Sequence, residues 1–326
     1  MIISRTPLRI SLFGGGTDLK DFYEVEGGAV LSTAIDKYIF ATVNKKFDDH
    51  IRISYSKTEI VERVDQVQHD LVREAMKLTG VDKGIEITTI ADIPSQGTGL
   101  GSSSTFTIGI LNALHAYKGE HVSAENLAKE ACRIEIDIIK EPIGKQDQYI
   151  AAYGGLQFIQ FNKDDSVFVN PIICSHELKE ALHGNLMLFY TGITRRANTI
   201  LSEQKKNSSS NKLEELKALK ELAFIGRKAL EVNHSIDEFG RIMDEGWKVK
   251  KSLASGISNA QIDEIYEKAK KAGALGGKIT GAGGGGFLLI YVPKSRQAHV
   301  RSALHPLKQI DFRFEPQGSK IIYVTD

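Results

Sequence analysis

Residues 97–104 read Gly-Thr-Gly-Leu-Gly-Ser-Ser-Ser and run directly into an apolar stretch, Thr105 to Tyr117. The spacing of that stretch predicts a helix, with Gly119 just past its end. Glycine lets a backbone turn its N–H groups outward and lie close against a bound group. The start of a helix adds unpaired N–H groups and a partial positive charge. Together they form a cradle for the oxyanions of a di- or triphosphate. A serine hydroxyl at the helix start is also a Mg²⁺ ligand type. The plainer alternative is a flexible loop that ends in a serine N-cap. The segment is not a P-loop. The nearest approach to one is Gly276-Gly277-Lys278, where Ile279 replaces the required hydroxyl and residue 272 is Ala.

A second glycine cluster, Lys278 to Gly286 (KITGAGGGG), satisfies G-x-G-x-x-G literally at Gly281, Gly283 and Gly286. A dinucleotide fingerprint needs a helix after it, and here a strand (FLLIYV) follows. Two readings stay open: a backbone wall pressed against a substrate or the other half of the chain, or a tight strand-to-strand turn. A third segment is Glu135 with Pro142 to Gln148 (PIGKQDQ). Leu127, Ala131 and Glu135 share a face of a helix expected from the N-cap Ser123 to about Glu141, with Ile138 and Ile139 continuing it. An inward acid needs a partner, and a metal ion is one answer; an edge position reaching solvent is the other. Asp147 opens a short helix and is by itself an ordinary N-cap candidate.

Charge and cysteine usage narrow the class. Lys plus Arg is 42 against 41 Asp plus Glu, a net +1. That balance argues against a nucleic-acid binder working by bulk positive charge. Cys132 and Cys174 cannot build a disulfide framework, and the nine His form no HExxH pattern. Arg5 and Arg9 interrupt the N-terminal apolar residues, so no signal peptide is expected. Runs such as Phe287–Val292 are too short to span a bilayer. The expectation is a soluble, cytoplasmic, α+β protein without nucleic-acid or membrane partners.

Strands are expected at 2–3, 8–13, 29–35, 38–43, 51–55, 85–90, 156–161, 186–191, 286–292 and 320–324. Further helices are expected near 65–78, from Leu213 onward, and over 236–253, 259–271 and 295–307. The polar run 205–212 reads as a mobile loop. A boundary near 184 divides the chain into units 1–183 and 184–326.

Three motifs in this order, Arg9–Asp18 (RISLFGGGTD), Pro94–Ser104 and Lys278–Gly286, resemble the GHMP kinase superfamily of galactokinase, homoserine kinase, mevalonate kinase and phosphomevalonate kinase. The resemblance implies an N-terminal domain like the second domain of ribosomal protein S5, a ferredoxin-like C-terminal domain, and an active site between them. Within the superfamily, FGGGTD, EPIGKQDQY and AAYGG are similar to the D-glycero-D-manno-heptose 7-phosphate kinases. Those enzymes phosphorylate an anomeric hydroxyl with ATP and Mg²⁺ on a route to GDP-heptose. Alternatives are a kinase for an unphosphorylated sugar or a mevalonate-type alcohol, or a non-catalytic nucleotide or sugar sensor.

The resemblance assigns ATP to Gly97, Thr98, Gly99, Leu100, Gly101, Ser102, Ser103 and Ser104. It assigns Mg²⁺ to Ser103 and Glu135, catalysis to Asp147 with Arg9 beside it, and sugar hydroxyls to Asp18 and Thr17. Gly281 to Gly285, with Gly283 and Gly284 among them, would shape the floor. A sugar phosphate also needs a second anion site, for which Arg195, Arg196 and Lys145 are candidates; a solvated basic turn is the alternative for the Arg pair. The 44–58 stretch is a candidate contributor to the base pocket.

Overall fold

A computed structural model describes residues 1–93, 97–193, 200, 202–203, 212–231 and 236–325. The mobile loop expected at 205–212 falls outside them, apart from Lys212. Among the described residues no helix is long and apolar enough to cross a membrane.

The first half builds an eight-stranded sheet. Its strands are β1 (Ile2–Phe13), β2 (Gly28–Lys45), β3 (Ile51–Ser54), β4 (Thr58–Val61), β5 (Ile85–Ala91), β6 (Leu156–Phe161) and β7 (Val167–Pro171), with a last strand from the far end of the chain. The helices of this half are α1 (Lys20–Glu26), α2 (Asp70–Thr79), α3 (Ser102–Tyr117), α4 (Ala124–Cys132), α5 (Gln146–Tyr153) and α6 (His176–Asn185). Where separate strands were expected at 2–3 and 8–13, and at 29–35 and 38–43, two long strands run instead. They pair antiparallel along nearly their whole length, and that pairing carries each across its polar middle.

The β1–β2 register shifts between Pro7 and Leu8. Before the shift, Ser4 faces α3 and donates to the Gly109 carbonyl at 2.7 Å. After it, Leu8, Ile10 and Leu12 pack in the core on the opposite side. A shift of this kind exchanges the faces of alternating side chains. It thereby sends Arg9 toward the loop that leads into α3.

The second half contains α7 (Leu213–Glu231), α8 (Ile236–Lys251), α9 (Ala260–Lys271) and α10 (Gln297–Ala303). Its antiparallel sheet has the order β11-β8-β10-β9, from β8 (Leu186–Tyr190), β9 (Gly276–Ile279), β10 (Phe287–Tyr291) and β11 (Lys308–Ile310). A four-stranded sheet with helices suits the ferredoxin-like expectation. The second sheet opens at Leu186, next to the expected boundary. The last strand, β12 (Lys320–Val324), departs from a simple division at 184, because it returns to pair with β1.

Two cores sandwich the first sheet. Ile108, Leu111 and Leu114 of α3 pack with Val43, Ile85 and Ile87. On the other face, Leu8, Ile10 and Phe13 share a core with Leu222 of α7 and with Phe239 and Trp247 of α8. The Phe13 and Phe239 rings meet edge-on at 4.9 Å, so the two halves are joined by apolar packing directly behind the end of β1.

Two helical glycines at this junction differ in room. A Cβ at Gly226 would lie 2.5 Å from the Phe13 ring, whereas one at Gly246 would meet nothing nearer than 3.6 Å. Gly226→Ala is expected to destabilise by about 1–3 kcal/mol through overpacking. Gly246→Ala is expected to be neutral or to gain up to about 1 kcal/mol of helix propensity. Chemical denaturation of both variants checks this; equal shifts would contradict the packing.

Candidate active site

Gly97, Gly99 and Gly101 take left-handed φ values of 71°, 72° and 76°. Gly101 caps α3 without any side-chain bond, and no acid sits in the first turn. The helix start therefore keeps its positive end free for an anion.

The glycines of the second cluster explain how this loop is held. A Cβ on Gly99 would fall 2.4 Å from the Thr280 carbonyl, and one on Gly286 would fall 2.5 Å from the Thr98 carbonyl. Thr280 Oγ1 donates to the Thr98 carbonyl at 2.9 Å. The turn between β9 and β10 is thus both a hairpin connection and a backbone wall against the 97–101 loop. The two readings left open by the sequence describe one object.

Arg9 ties three segments together. Its Nε and Nη2 donate to Asp147 Oδ1 and Oδ2 at 2.6 and 2.7 Å, a bidentate pair. Its Nη1 donates to the Gly99 carbonyl at 2.6 Å, and its backbone N–H to the Leu100 carbonyl at 3.0 Å. Asp147 lies in the first turn of α5, not at its N-cap. Gly144, just before that helix, admits Asp18, whose Oδ2 would lie 2.1 Å from a Cβ there. Asp18 accepts from the Gly16 N–H at 2.9 Å and the Gln146 N–H at 3.2 Å. Burial pushes its carboxyl above the usual range against the Gly16 bond, and the charge of Asp147 adds to the rise. Arg9, Asp18, Asp147 and the 97–104 loop, Leu100 excepted, line one cleft of about 240 Å³.

Residues 59–155 match the GHMP kinases N terminal domain and residues 213–307 match GHMP kinases C terminal. The chain is 31% identical over 334 residues to the D-glycero-alpha-D-manno-heptose 7-phosphate kinase of Campylobacter jejuni, covering 98% of both. It is 26% identical over 267 residues to a mevalonate kinase of Methanothermobacter thermautotrophicus, covering 81% of this chain and 83% of that one. The crystal structure of a D-glycero-D-manno-heptose 1-phosphate kinase from Bacteroides thetaiotaomicron superposes with a TM-score of 0.83 at 26% identity over 100% of both chains. The chain belongs to the GHMP kinases. Its α+β architecture and its two sheets are those of that family.

In this GHMP kinase the expected site residues divide by position. Gly97, Thr98, Gly99, Gly101, Ser102, Ser103, Ser104 and Gly283 line the cleft with Asp18, Arg9 and Asp147. Leu100 turns its side chain into the core, and its backbone carbonyl accepts from the Arg9 N–H. Gly284 donates its N–H to the Ile257 carbonyl and is not on the wall. The Thr17 hydroxyl is tied to the backbone of Ala29, donating at 2.9 Å and accepting at 3.1 Å, so it braces the chain and does not face the cleft. Lys145 is corrected in the same way. Its ammonium pairs with Asp165 at 2.6 Å over the Tyr23 ring and is not on the cleft wall. Arg195 and Arg196 lie outside the described residues.

Glu135 is fully buried behind the loop. It accepts from Ser103 Oγ at 3.1 Å, Ser104 Oγ at 2.7 Å, Thr107 Oγ1 at 3.1 Å and the Gln148 amide. The expected helix widens over 133–138 into i→i+5 turns, with the Ile139 N–H on the Ile134 carbonyl. The extra residue turns Ile138 out to solvent, 43% exposed, while Glu135 stays inside. Ser103 lies on the cleft wall with Glu135 hydrogen-bonded directly behind it, and both are hard oxygen donors of the type Mg²⁺ takes.

Sequence reasoning missed most of a second recess beside Ser102 and Ser103, lined by Tyr55, His69, Ile90 and Phe106 among others. Only Tyr55 and Ser56 come from the 44–58 stretch. His69 stacks on Phe106 at 4.8 Å, and burial pushes its imidazole toward the neutral form. These residues come from four separate segments of the chain, so no local pattern announces them.

Burial raises Glu135 from 4.5 to about 7, against its four hydrogen bonds. The folded value exceeds the unfolded one. This group's contribution is therefore complete below about pH 4.5 and is lost as pH rises through about 7. Without Mg²⁺, wild-type stability is expected to fall by roughly 3 kcal/mol more than that of Glu135→Gln over this window. Excess Mg²⁺ is expected to remove the difference. Denaturation at pH 5 and pH 8, with and without the metal, checks this; a pH-independent gap between the two proteins would contradict it.

Proposed function

We propose that this kinase transfers the γ-phosphoryl group of ATP to the anomeric hydroxyl of a sugar phosphate, D-glycero-D-manno-heptose 7-phosphate, giving the 1,7-bisphosphate. The observation that carries the reading is the Arg9–Asp147 pair, which faces the glycine–serine loop across a single cleft. The full-length similarity to the Campylobacter jejuni heptose 7-phosphate kinase supports the choice of acceptor.

The N–H groups of the 97–104 loop and of the α3 start hold the nucleotide phosphates. The aromatic recess at Tyr55, His69 and Phe106 receives the base, with Ser102 and Ser103 shared between recess and phosphate site. Asp147 faces the acceptor alcohol. As the acceptor oxygen bonds to the γ-phosphorus, its proton passes to the Asp147 carboxylate. The bond from that phosphorus to the bridging oxygen breaks, and ADP leaves. The Arg9 fork fixes both carboxylate oxygens, so Asp147 is oriented before the acceptor arrives. An anomeric hydroxyl is more acidic than an ordinary alcohol, so the base need not be strong. Asp18 accepts from a ring hydroxyl. Ser103 and Glu135 would hold Mg²⁺, which would supply positive charge to offset that of the phosphates.

Coupled ADP detection over a panel of D-glycero-D-manno-heptose 7-phosphate, galactose, L-fucose and mevalonate tests the acceptor. The heptose phosphate is expected to have by far the highest kcat/KM; a preference for any other member would overturn the assignment. Asp147→Asn is expected to lower kcat by roughly 10²- to 10⁴-fold with little change in the KM for ATP. Near-normal turnover would remove the base from the mechanism.

A further inference from the structure

We infer that Lys250 is an acceptor-binding residue, whose ammonium donates to an oxygen of the sugar phosphate at the Asp18 end of the cleft. The inference rests on the sugar-phosphate reading above. Lys250 sits in the last turn of α8, where a basic side chain ordinarily reaches solvent. Here it is 5% exposed and still forms part of the cleft wall, next to Gly16 and Asp18. Its Nζ donates to the Gly15 carbonyl at 2.8 Å. An ammonium has three donors. Among the described residues Gly15 is its one hydrogen-bond acceptor, and no carboxylate forms an ion pair with it.

A second lysine makes the charge imbalance sharper. Lys278 on β9 is also buried, and among the described residues its Nζ reaches only the Leu12 carbonyl, at 3.4 Å. Both lysines border a small inner cavity behind Gly14 and Gly15, but only Lys250 opens on the main cleft as well. The other charged groups that act on them are Asp18 and Arg9. Arg9 is committed to Asp147, which leaves two ammoniums against Asp18 alone. Burial lowers Lys250 to about 8 and Lys278 to about 7, with Asp18 opposing the shift in each case. Buried cations that share so little counter-charge are costly to keep. An incoming oxyanion supplies the missing charge, and Gly16, with no side chain, leaves the approach to Lys250 open.

The test compares wild type with Lys250→Met, which keeps the length and removes the charge, and with Lys250→Arg, which keeps the charge. Initial rates are measured against ATP, against the sugar phosphate and against the same sugar without its phosphate, together with thermal melting. Lys250→Met is expected to raise the KM for the sugar phosphate roughly 10- to 100-fold. The KM for ATP and the melting temperature should stay near wild type, and the preference for the phosphorylated sugar should collapse. Lys250→Arg should retain part of that preference. In the wild type, affinity for the sugar phosphate should fall between pH 7 and 9 as Lys250 loses its proton; the Met variant should lack this limb. An unchanged acceptor KM in Lys250→Met, or equal rises for ATP and acceptor with a lowered melting temperature, overturns the inference. A wild type that prefers an unphosphorylated sugar overturns the substrate reading instead. Lys250 is then judged by the same KM comparison on that sugar.

Discussion

The guanidinium of Arg9 is the point at which the site is assembled. It spans from Asp147 on α5 to the Gly99 carbonyl in the glycine–serine loop, and the same residue's backbone N–H holds Leu100. Those contacts set the distance between the proposed proton acceptor, Asp147, and the loop proposed to hold phosphate. They require Arg9 to leave β1 toward α3, which the register shift at Pro7–Leu8 provides. They also require the guanidinium to be shielded from water, since an exposed pair of this kind would hold its geometry weakly. Burial between two cores supplies the shielding, and the bidentate fork satisfies the charge that burial would otherwise leave unpaired.

The glycines of the two loops act as a single device. At Gly99 and Gly281 the two backbones lie closer than any Cβ allows. A loop with three left-handed glycines would sample many conformations if left alone. Contact with the β9–β10 turn, and the Thr280 hydrogen bond to Thr98, restrict it to one. Ordering the cradle before the ligand arrives lowers the entropy lost on binding. The second half of the chain thus braces a loop that belongs to the first, the one proposed to bind phosphate.

Much of this was legible in the sequence because it is local. The glycine–serine loop, the helix after it, the Ser123 cap and the inward face carrying Glu135 all follow from spacing within a few residues. The misplacements share a different cause. Thr17 is held by Ala29, Lys145 by Asp165, and β12 by β1, each pairing set by the tertiary fold. Lys250 lies in a helix whose end reads as a solvated basic run, WKVKK, and only the packing of α8 against β1 reveals that one lysine of the run is enclosed. The widened turn after Cys132 is likewise invisible to a 3.6-residue period, which carried the expected stripe on to Ile138.

In the proposed reaction, nucleotide phosphates and acceptor alcohol meet between the 97–104 loop and Asp147. A crystal structure with Mg²⁺, a non-hydrolysable ATP analogue and the sugar phosphate tests it most directly. The β- and γ-phosphates are expected on backbone N–H groups between Gly97 and Ser104, and the anomeric oxygen within hydrogen-bond distance of an Asp147 carboxylate oxygen. Phosphates bound away from that loop, or an acceptor hydroxyl turned away from Asp147, would contradict it.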